Sequence, residues 1–331
     1  MSEYFLNPDL MSDQVKQEPI RAGMGRGLKA AGEANPNVVA LCADLTESTQ
    51  IHLFKEAFED RFIQVGIAEQ NLIAVASGLA RAGKIPFASS YAAFNPGRNW
   101  EQIKTTVALN EQPVKIIGAH AGINVGPDGA THQMLEDIAL MRVLPNMVVV
   151  VPGDSLEAEK ATKAIAVNGK PTYIRLARVA TPIISTPETP FEIGKAYVLR
   201  NGGDVSLMGT GVMTYQLLVA AEILATKGIQ AEVVHVPTVK PLDHDVIMSS
   251  AHRTGRVVTA EEAQIAGGFG SAVAELLGEV LPTPVMRLGL NDRFGESGDP
   301  MQLFDHFGLT GEKMAVKIED FVRNTSQYHR I

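Results

Sequence analysis

Three stretches of the sequence carry chemically capable residue types at spacings that converge on one edge of a sheet. The first is Gln64-Val65-Gly66-Ile67-Ala68-Glu69-Gln70-Asn71. A strand that ends at a glycine and passes at once into a helix puts Glu69 in the first helical turn, at the C-terminal edge of the sheet, where open α/β folds bind ligands. By position alone the plainer reading is the stronger one: an exposed glutamate that favours the helix N-terminus electrostatically.

The second stretch runs from Gly118 to Gln133 as GAHAGINVGPDGATHQ. Four glycines and a proline shape a long loop directly after a strand, and His120, Asp128 and His132 ride on it. Such a loop is a natural site wall; the alternative is a surface loop with incidental histidines. The third, Ser89-Ser90-Tyr91-Ala92-Ala93-Phe94, offers two aromatics three residues apart. They can stack on a ring or fill the core, and the residues alone favour the core.

The elements that position these groups are legible from periodicity. Short β-rich runs at 38–42, 62–65, 86–89, 114–119, 147–151 and 172–176, several of them continuously apolar, alternate with helical stretches at 67–81, 98–109 and 155–166. Continuous apolar strands of this kind belong to a parallel sheet covered on both faces, and the alternation predicts a doubly wound α/β domain over residues 20–180. Residues 1–19 form a polar N-terminal extension, either disordered or docked on a partner. Residues 181–194, with Pro182, Pro187 and Pro190, form a linker, because proline lacks the N–H that a helix or central strand needs. A second, smaller α/β domain follows over residues 195–331, with strands at 205–209, 231–236, 256–259 and 285–288 and helices at 215–227 and 268–279.

Composition narrows the class. The 331 residues suffice for about two domains. The net charge of −8 comes with no block of Lys and Arg, which argues against a nucleic-acid partner. Cys42, the single cysteine, excludes an internal disulfide and a cysteine-based zinc site, fits the cytoplasm, and sits in an apolar run that makes it a buried, inert thiol. The N-terminus lacks a basic segment followed by an apolar one, and no apolar run approaches ~20 residues, so neither a secretory leader nor a membrane span is expected. Neither a G-x-x-x-x-G-K-[ST] loop nor a G-x-G-x-x-G after the first strand occurs.

Taken together, CADLTES, VGIAEQN, SSYAAF, HAGINVGPDGATHQMLEDIALMRVLPNM and PTYIRLAR, in this order and spacing, resemble transketolase from about Ile20 onward. DVSLMGTGVMTYQLLVAAEIL and EEAQIAGGFGSAVAELL resemble that family's C-terminal domain. The resemblance implies a pyrimidine-binding domain followed by a C-terminal domain, and a thiamine diphosphate cofactor. It makes Glu69 the residue that hydrogen-bonds N1′ of the aminopyrimidine and Tyr91 and Phe94 the aromatics that pack on it, with Asp44 an acidic position nearby. Asp128 and His132 match the pair that holds donor hydroxyls. His120, Arg21, Ser48 and Arg178 match a sugar-phosphate site, a role that suits arginine's planar fork. His52, His235, His244, His252, His306 and His329 match nothing catalytic.

The chain also departs from the family pattern. Gly97 stands where many relatives place an aromatic, which implies a looser pyrimidine pocket. Pro127 and Ala130 replace an acidic residue and a proline in the loop. No Gly-Asp-Gly with a downstream Asn, the family's metal and diphosphate ligands, is present. The expected enzyme is therefore a split transketolase, in which a separate N-terminal-half chain binds the diphosphate and its Mg2+ or Ca2+, in an α2β2 assembly. Pentose and hexose phosphates are the default substrates. The competing readings are a 2-oxo-acid dehydrogenase beta subunit and a non-catalytic scaffold subunit. A single-chain deoxyxylulose-phosphate synthase shares the loop but carries the diphosphate domain in the same chain.

Overall fold

The computed structural model describes residues 5–325. His329 and the first four residues of the N-terminal extension lie outside them. Two parallel sheets, each layered by helices, make up most of the chain, as the α/β reading expects.

The first sheet has seven strands. From one edge they are Thr238–Lys240, Val148–Val150, Thr172–Leu176, Lys115–Ala119, Ile85–Tyr91, Val38–Cys42 and Phe62–Gln64. All pairings are parallel except that of Thr238–Lys240 with Val148–Val150, which is antiparallel. The central strands are buried along their length. Side-chain alternation feeds two apolar layers: Val38, Ala40 and Cys42 face one, and Val39, Leu41 and Ala43 the other. Cys42 is a free, buried thiol.

The second sheet has five strands in the order Val285–Leu290, Val257–Gln264, Val205–Gly209, Ala231–His235 and Tyr197–Arg200. Only Tyr197–Arg200 runs antiparallel, against Ala231–His235.

Several elements differ from the sequence expectation. Helix Ile20–Ala34 opens the first domain and packs on Ser155–Val167. Its glycines permit the contact: a Cβ on Gly23 would lie 1.7 Å from the Ser155 carbonyl oxygen, and one on Gly27 2.6 Å from that of Glu159. The helix expected over 98–109 is a short α-helical turn, Trp100–Gln102, that widens into a π-helix, Ile103–Ala108.

The N-terminal extension packs on the linker. Gln17–Pro19 pairs antiparallel with Ala180–Pro182, Leu6 bridges Ser185, and Leu10 is buried. The linker is itself pinned, because the Asp154 carboxylate accepts hydrogen bonds from the backbone N–H groups of Ile184 and Ser185 at 2.9 and 2.7 Å. The strand Thr238–Lys240 comes from the second half of the chain yet completes the first sheet. The two halves are thereby stitched together.

Candidate active site

The C-terminal ends of five adjacent strands deliver the candidate residues to one edge. Phe62–Gln64 leads through Gly66, at φ +72°, into helix Glu69–Arg81, so Glu69 is the first helical residue. Gly66 is suited to that turn because it takes the left-handed conformation without a Cβ penalty. Glu69 is only 2% exposed. A buried carboxylate needs hydrogen-bonding partners, and two side chains provide them. Ser90 Oγ donates to Oε1 at 3.3 Å, and Arg98 Nη1 donates to Oε2 at 2.7 Å. Asn99 Nδ2 donates to the Glu69 carbonyl at 2.8 Å, which fixes the helix start. Glu69 therefore opens the helix, as position alone suggests, but is buried there and not exposed.

Tyr91 ends strand Ile85–Tyr91, and Phe94 follows in the next turn. Their rings stack with centroids 6.2 Å apart. Tyr91 also stacks on His120 at 3.9 Å, and Phe94 meets His132 edge-on at 5.4 Å. The aromatics thus form a wall that carries both loop histidines. The Arg98 guanidinium lies over the Phe94 ring, 4.4 Å from its centroid. Cationic groups favour that position over an aromatic face.

His120 follows strand Lys115–Ala119 in a left-handed backbone conformation, φ +55°, and is buried. Burial first, then the positive charges of Arg21 and Arg178 and the neighbouring His132, push its pKa down to about 3. His120 is therefore neutral near pH 7, and its Nδ1 has no hydrogen-bond partner. Arg21 lies in the first turn of Ile20–Ala34; its Nε and Nη1 are buried and likewise unpartnered. Burial and then Arg178 push the Arg21 pKa below the usual guanidinium range. Arg21, Arg178 and His120 thus gather two positive charges and three buried, unpartnered nitrogens at one place.

Arg178 is held from behind. Asn124 Oδ1 accepts the backbone N–H groups of Arg178 and Val179 at 2.8 and 2.7 Å, and Arg178 Nη1 donates to the Val125 carbonyl at 2.5 Å.

The structure brings Glu69, Tyr91, Phe94, His120, His132, Arg21 and Arg178 into one cluster. It is more reserved about the others. Asp44 is exposed, with φ +58° and its N–H donated to Gln64 Oε1. Ser48 is half-buried and Asp128 exposed on the loop. Among the described residues, none of these three hydrogen-bonds to the cluster. Sequence reasoning missed Ser90, Arg98, Asn99 and Asn124. Only their place beside the motifs hinted at them, since each acts through a partner distant in sequence.

Gly97 has a local reason. A Cβ there would sit 2.2 Å from the Ala93 carbonyl oxygen, so this turn excludes any side chain. A cavity of about 500 Å3, lined by Asn124, Val179, Tyr215 and Phe304 among others, lies behind the loop. Glu69, Tyr91 and Phe94 do not line it; Arg98, which bonds Glu69 and covers Phe94, stands exposed. Among the described residues, no group of three or more His, Cys, Asp or Glu is placed to hold a metal ion, and no helix is long and apolar enough to cross a membrane.

The chain is similar to known proteins. The sequence matches the transketolase pyrimidine-binding domain over residues 17–183 and the transketolase C-terminal domain over residues 194–314. It is 45% identical over 302 residues to a Methanocaldococcus jannaschii protein named for a transketolase C-terminal section, covering 90% of this chain and 95% of that one. It is 44% identical over 282 residues to a 6-deoxy-6-sulfo-D-fructose transketolase subunit of a Clostridium species, covering 85% and 88%. A solved structure described as a split-gene transketolase in an inactive β4 tetramer superposes with a TM-score of 0.86 at 44% identity, covering 92% and 98%. The 1-deoxy-D-xylulose-5-phosphate synthase of Trichormus variabilis is 38% identical, but there the chain spans only 46% of the relative's length.

Proposed function

This chain belongs to the transketolase family, as a C-terminal section, and from that premise we propose that it is one subunit of a two-chain transketolase dependent on thiamine diphosphate. The enzyme moves a two-carbon ketol unit from a ketose phosphate to an aldose phosphate. One observation carries the reading. Glu69 is a buried carboxylate beside an aromatic wall, and its close cationic partner is an arginine whose side chain is 48% exposed. An aminopyrimidine ring that displaced Arg98 would find a carboxylate for its ring nitrogen and Tyr91 and Phe94 for its faces. The residues present fit that half of the cofactor.

When bound, thiamine diphosphate supplies the electron sink for cleaving and re-forming the ketol carbon–carbon bond. The chain's own residues do the rest. Glu69 would hold the aminopyrimidine's ring nitrogen and share a proton with it. Tyr91 and Phe94 pack on the ring and exclude water. Asp128 and His132 hold the donor's hydroxyls. Arg21 and His120 receive the phosphate through their unpartnered nitrogens, with Arg178 and Ser48 at the same end and Asp44 beside the cofactor.

The diphosphate and its Mg2+ or Ca2+ are held by an N-terminal-half partner, in an α2β2 assembly in the cytoplasm. Support comes from relatives of matching length named as sections or subunits, and from the inactive tetramer formed by the similar chain. The default substrates are the sugar phosphates of the pentose phosphate pathway. A relative named for 6-deoxy-6-sulfo-D-fructose supports a substrate range wider than those sugars.

The test is recovery of the tagged chain from its native lysate with its companions, followed by a ketol-transfer assay with added thiamine diphosphate and Mg2+. Turnover from an equimolar complex with a second chain bearing Gly-Asp-Gly supports the proposal. An isolated chain that turns over unaided, or a complex that transfers no ketol unit from any sugar phosphate, contradicts it.

A further inference from the structure

The loop that carries His120, Asp128 and His132 is shaped by the second domain. Its three glycines in the left-handed region, Gly122, Gly126 and Gly129, have φ of +79°, +75° and +74°. Each is pressed against a different residue of the second domain. A Cβ on Gly122 would lie 2.4 Å from the Glu262 carboxyl carbon, one on Gly126 2.9 Å from Pro300, and one on Gly129 2.3 Å from Ser297 Oγ. The loop's end is held from the same side, where Gln133 Nε2 donates to the Glu296 carbonyl at 2.8 Å and the Gln264 N–H donates to the Leu135 carbonyl at 2.9 Å.

Of these contacts, the one at Glu262 reaches the anion-binding arginine. Glu262 lies on strand Val257–Gln264 and is 3% exposed. Its Oε2 accepts the backbone N–H of Asn124 at 3.1 Å, and its Oε1 accepts from Arg175 Nη1 at 3.3 Å. The side chain of Asn124 in turn holds the backbone of Arg178 and Val179, and the Arg178 side chain returns to Val125. A single run of hydrogen bonds therefore links a second-domain carboxylate to the substrate loop and then to Arg178. Charge-assisted bonds of this kind are the stronger class, and a left-handed glycine against the carboxylate shows how closely the two are fitted.

We propose that Glu262 is a positioning residue: through it, the C-terminal domain sets the conformation of loop 122–129 and the placement of Arg178. The consequence for substrate rests on the reading above, that this loop and Arg178 hold the sugar phosphate.

The experiment is hydrogen–deuterium exchange on the full chain, comparing wild type with Glu262→Ala, Glu262→Asp and Glu262→Gln, alongside kinetics of each variant with the partner chain. Loss of the acceptor is expected to speed exchange in segments 122–129 and 177–180 about tenfold, with strand Val205–Gly209 as protected as in wild type. Glu262→Asp keeps the buried charge beside Arg175 but falls short of Asn124, so it gives the same pattern even if Glu262→Ala fails to fold. Glu262→Gln keeps an acceptor oxygen and restores most of the protection. With sugar phosphate, KM rises more than kcat falls.

Unchanged exchange in both segments overturns the proposal, as does loosening spread evenly through Val205–Gly209. The expected exchange pattern with KM and kcat unmoved leaves the positioning role standing and contradicts the assignment of this loop to the sugar phosphate.

Discussion

Arg98 donates to Glu69 at 2.7 Å while its guanidinium plane lies over Phe94, so in the free chain one arginine occupies both the carboxylate and the aromatic face of the candidate site. The two residues are 29 apart in sequence, and the pair forms because helix Glu69–Arg81 and the turn after strand Ile85–Tyr91 meet at the same sheet edge.

Arg98→Ala therefore has opposite effects on the free chain and on the complex. Glu69 loses its cation and keeps only Ser90 as a side-chain partner, which lowers the stability of the free chain by about 1 kcal/mol, a small value because Arg98 is half exposed. The apparent affinity of the two-chain enzyme for thiamine diphosphate rises, because the competitor for Glu69 is gone. Thermal melting and cofactor titration measure the two effects; weaker cofactor binding would show that Arg98 belongs to the loaded site.

His120 makes the fold acid-sensitive. Its folded pKa, about 3, lies below the ordinary value of 6.5, so the unfolded chain binds the proton more readily. Above pH 6.5 the group has no effect. As pH falls from 6.5 toward 3 it withdraws stability, by about 3 kcal/mol at pH 4.5. His120→Asn should flatten that part of the curve, as read by urea unfolding at pH 6.5 and 4.5. Equal pH dependence in variant and wild type would contradict a buried neutral imidazole.

Gly97→Ala tests the missing pocket aromatic. The added Cβ meets the Ala93 carbonyl, and overpacking of this kind costs about 1–3 kcal/mol. A lowered Tm is expected for alanine and a larger drop for phenylalanine; a phenylalanine variant as stable as wild type would mean that the turn has room for the side chain.

Arg175 is the cation of a buried cluster that joins the two domains. It bonds Asp137 at 2.9 Å and Glu262 at 3.3 Å, and Tyr173 donates to the same Asp137 oxygen at 2.7 Å. Burial pushes the Glu262 carboxyl up, and Arg175 and the Asn124 N–H work against that push. Arg175→Met leaves two buried carboxylates without a cation, and a loss of about 3–5 kcal/mol is expected in denaturant titration. A loss below about 1 kcal/mol would show that the cluster is accommodated by protonation.

The sequence made these elements unequally legible. Val38–Cys42, Thr172–Leu176 and Val205–Gly209 are readable to the residue because buried parallel strands are rich in apolar and β-favouring residues. Helix Ile20–Ala34 is not, because its four glycines, chosen for close packing, lower helix propensity. The strand Thr238–Lys240 is three residues long and joins a sheet built from the other half of the chain, which no local pattern encodes. The same holds for the site. Glu69 and the loop histidines stand in recognisable segments, whereas Arg98 and Glu262 matter through partners 29 and 138 residues away.

The central claim is that Glu69 activates the cofactor, and Glu69→Gln in the reconstituted two-chain enzyme tests it most directly. Glutamine keeps the size of the side chain and can still accept from Ser90, so the complex should assemble as in wild type. Ketol transfer should fall by at least about a hundredfold, the usual scale for loss of a proton-transferring group. Transfer within about threefold of wild type, in a complex that still binds thiamine diphosphate, would contradict the account.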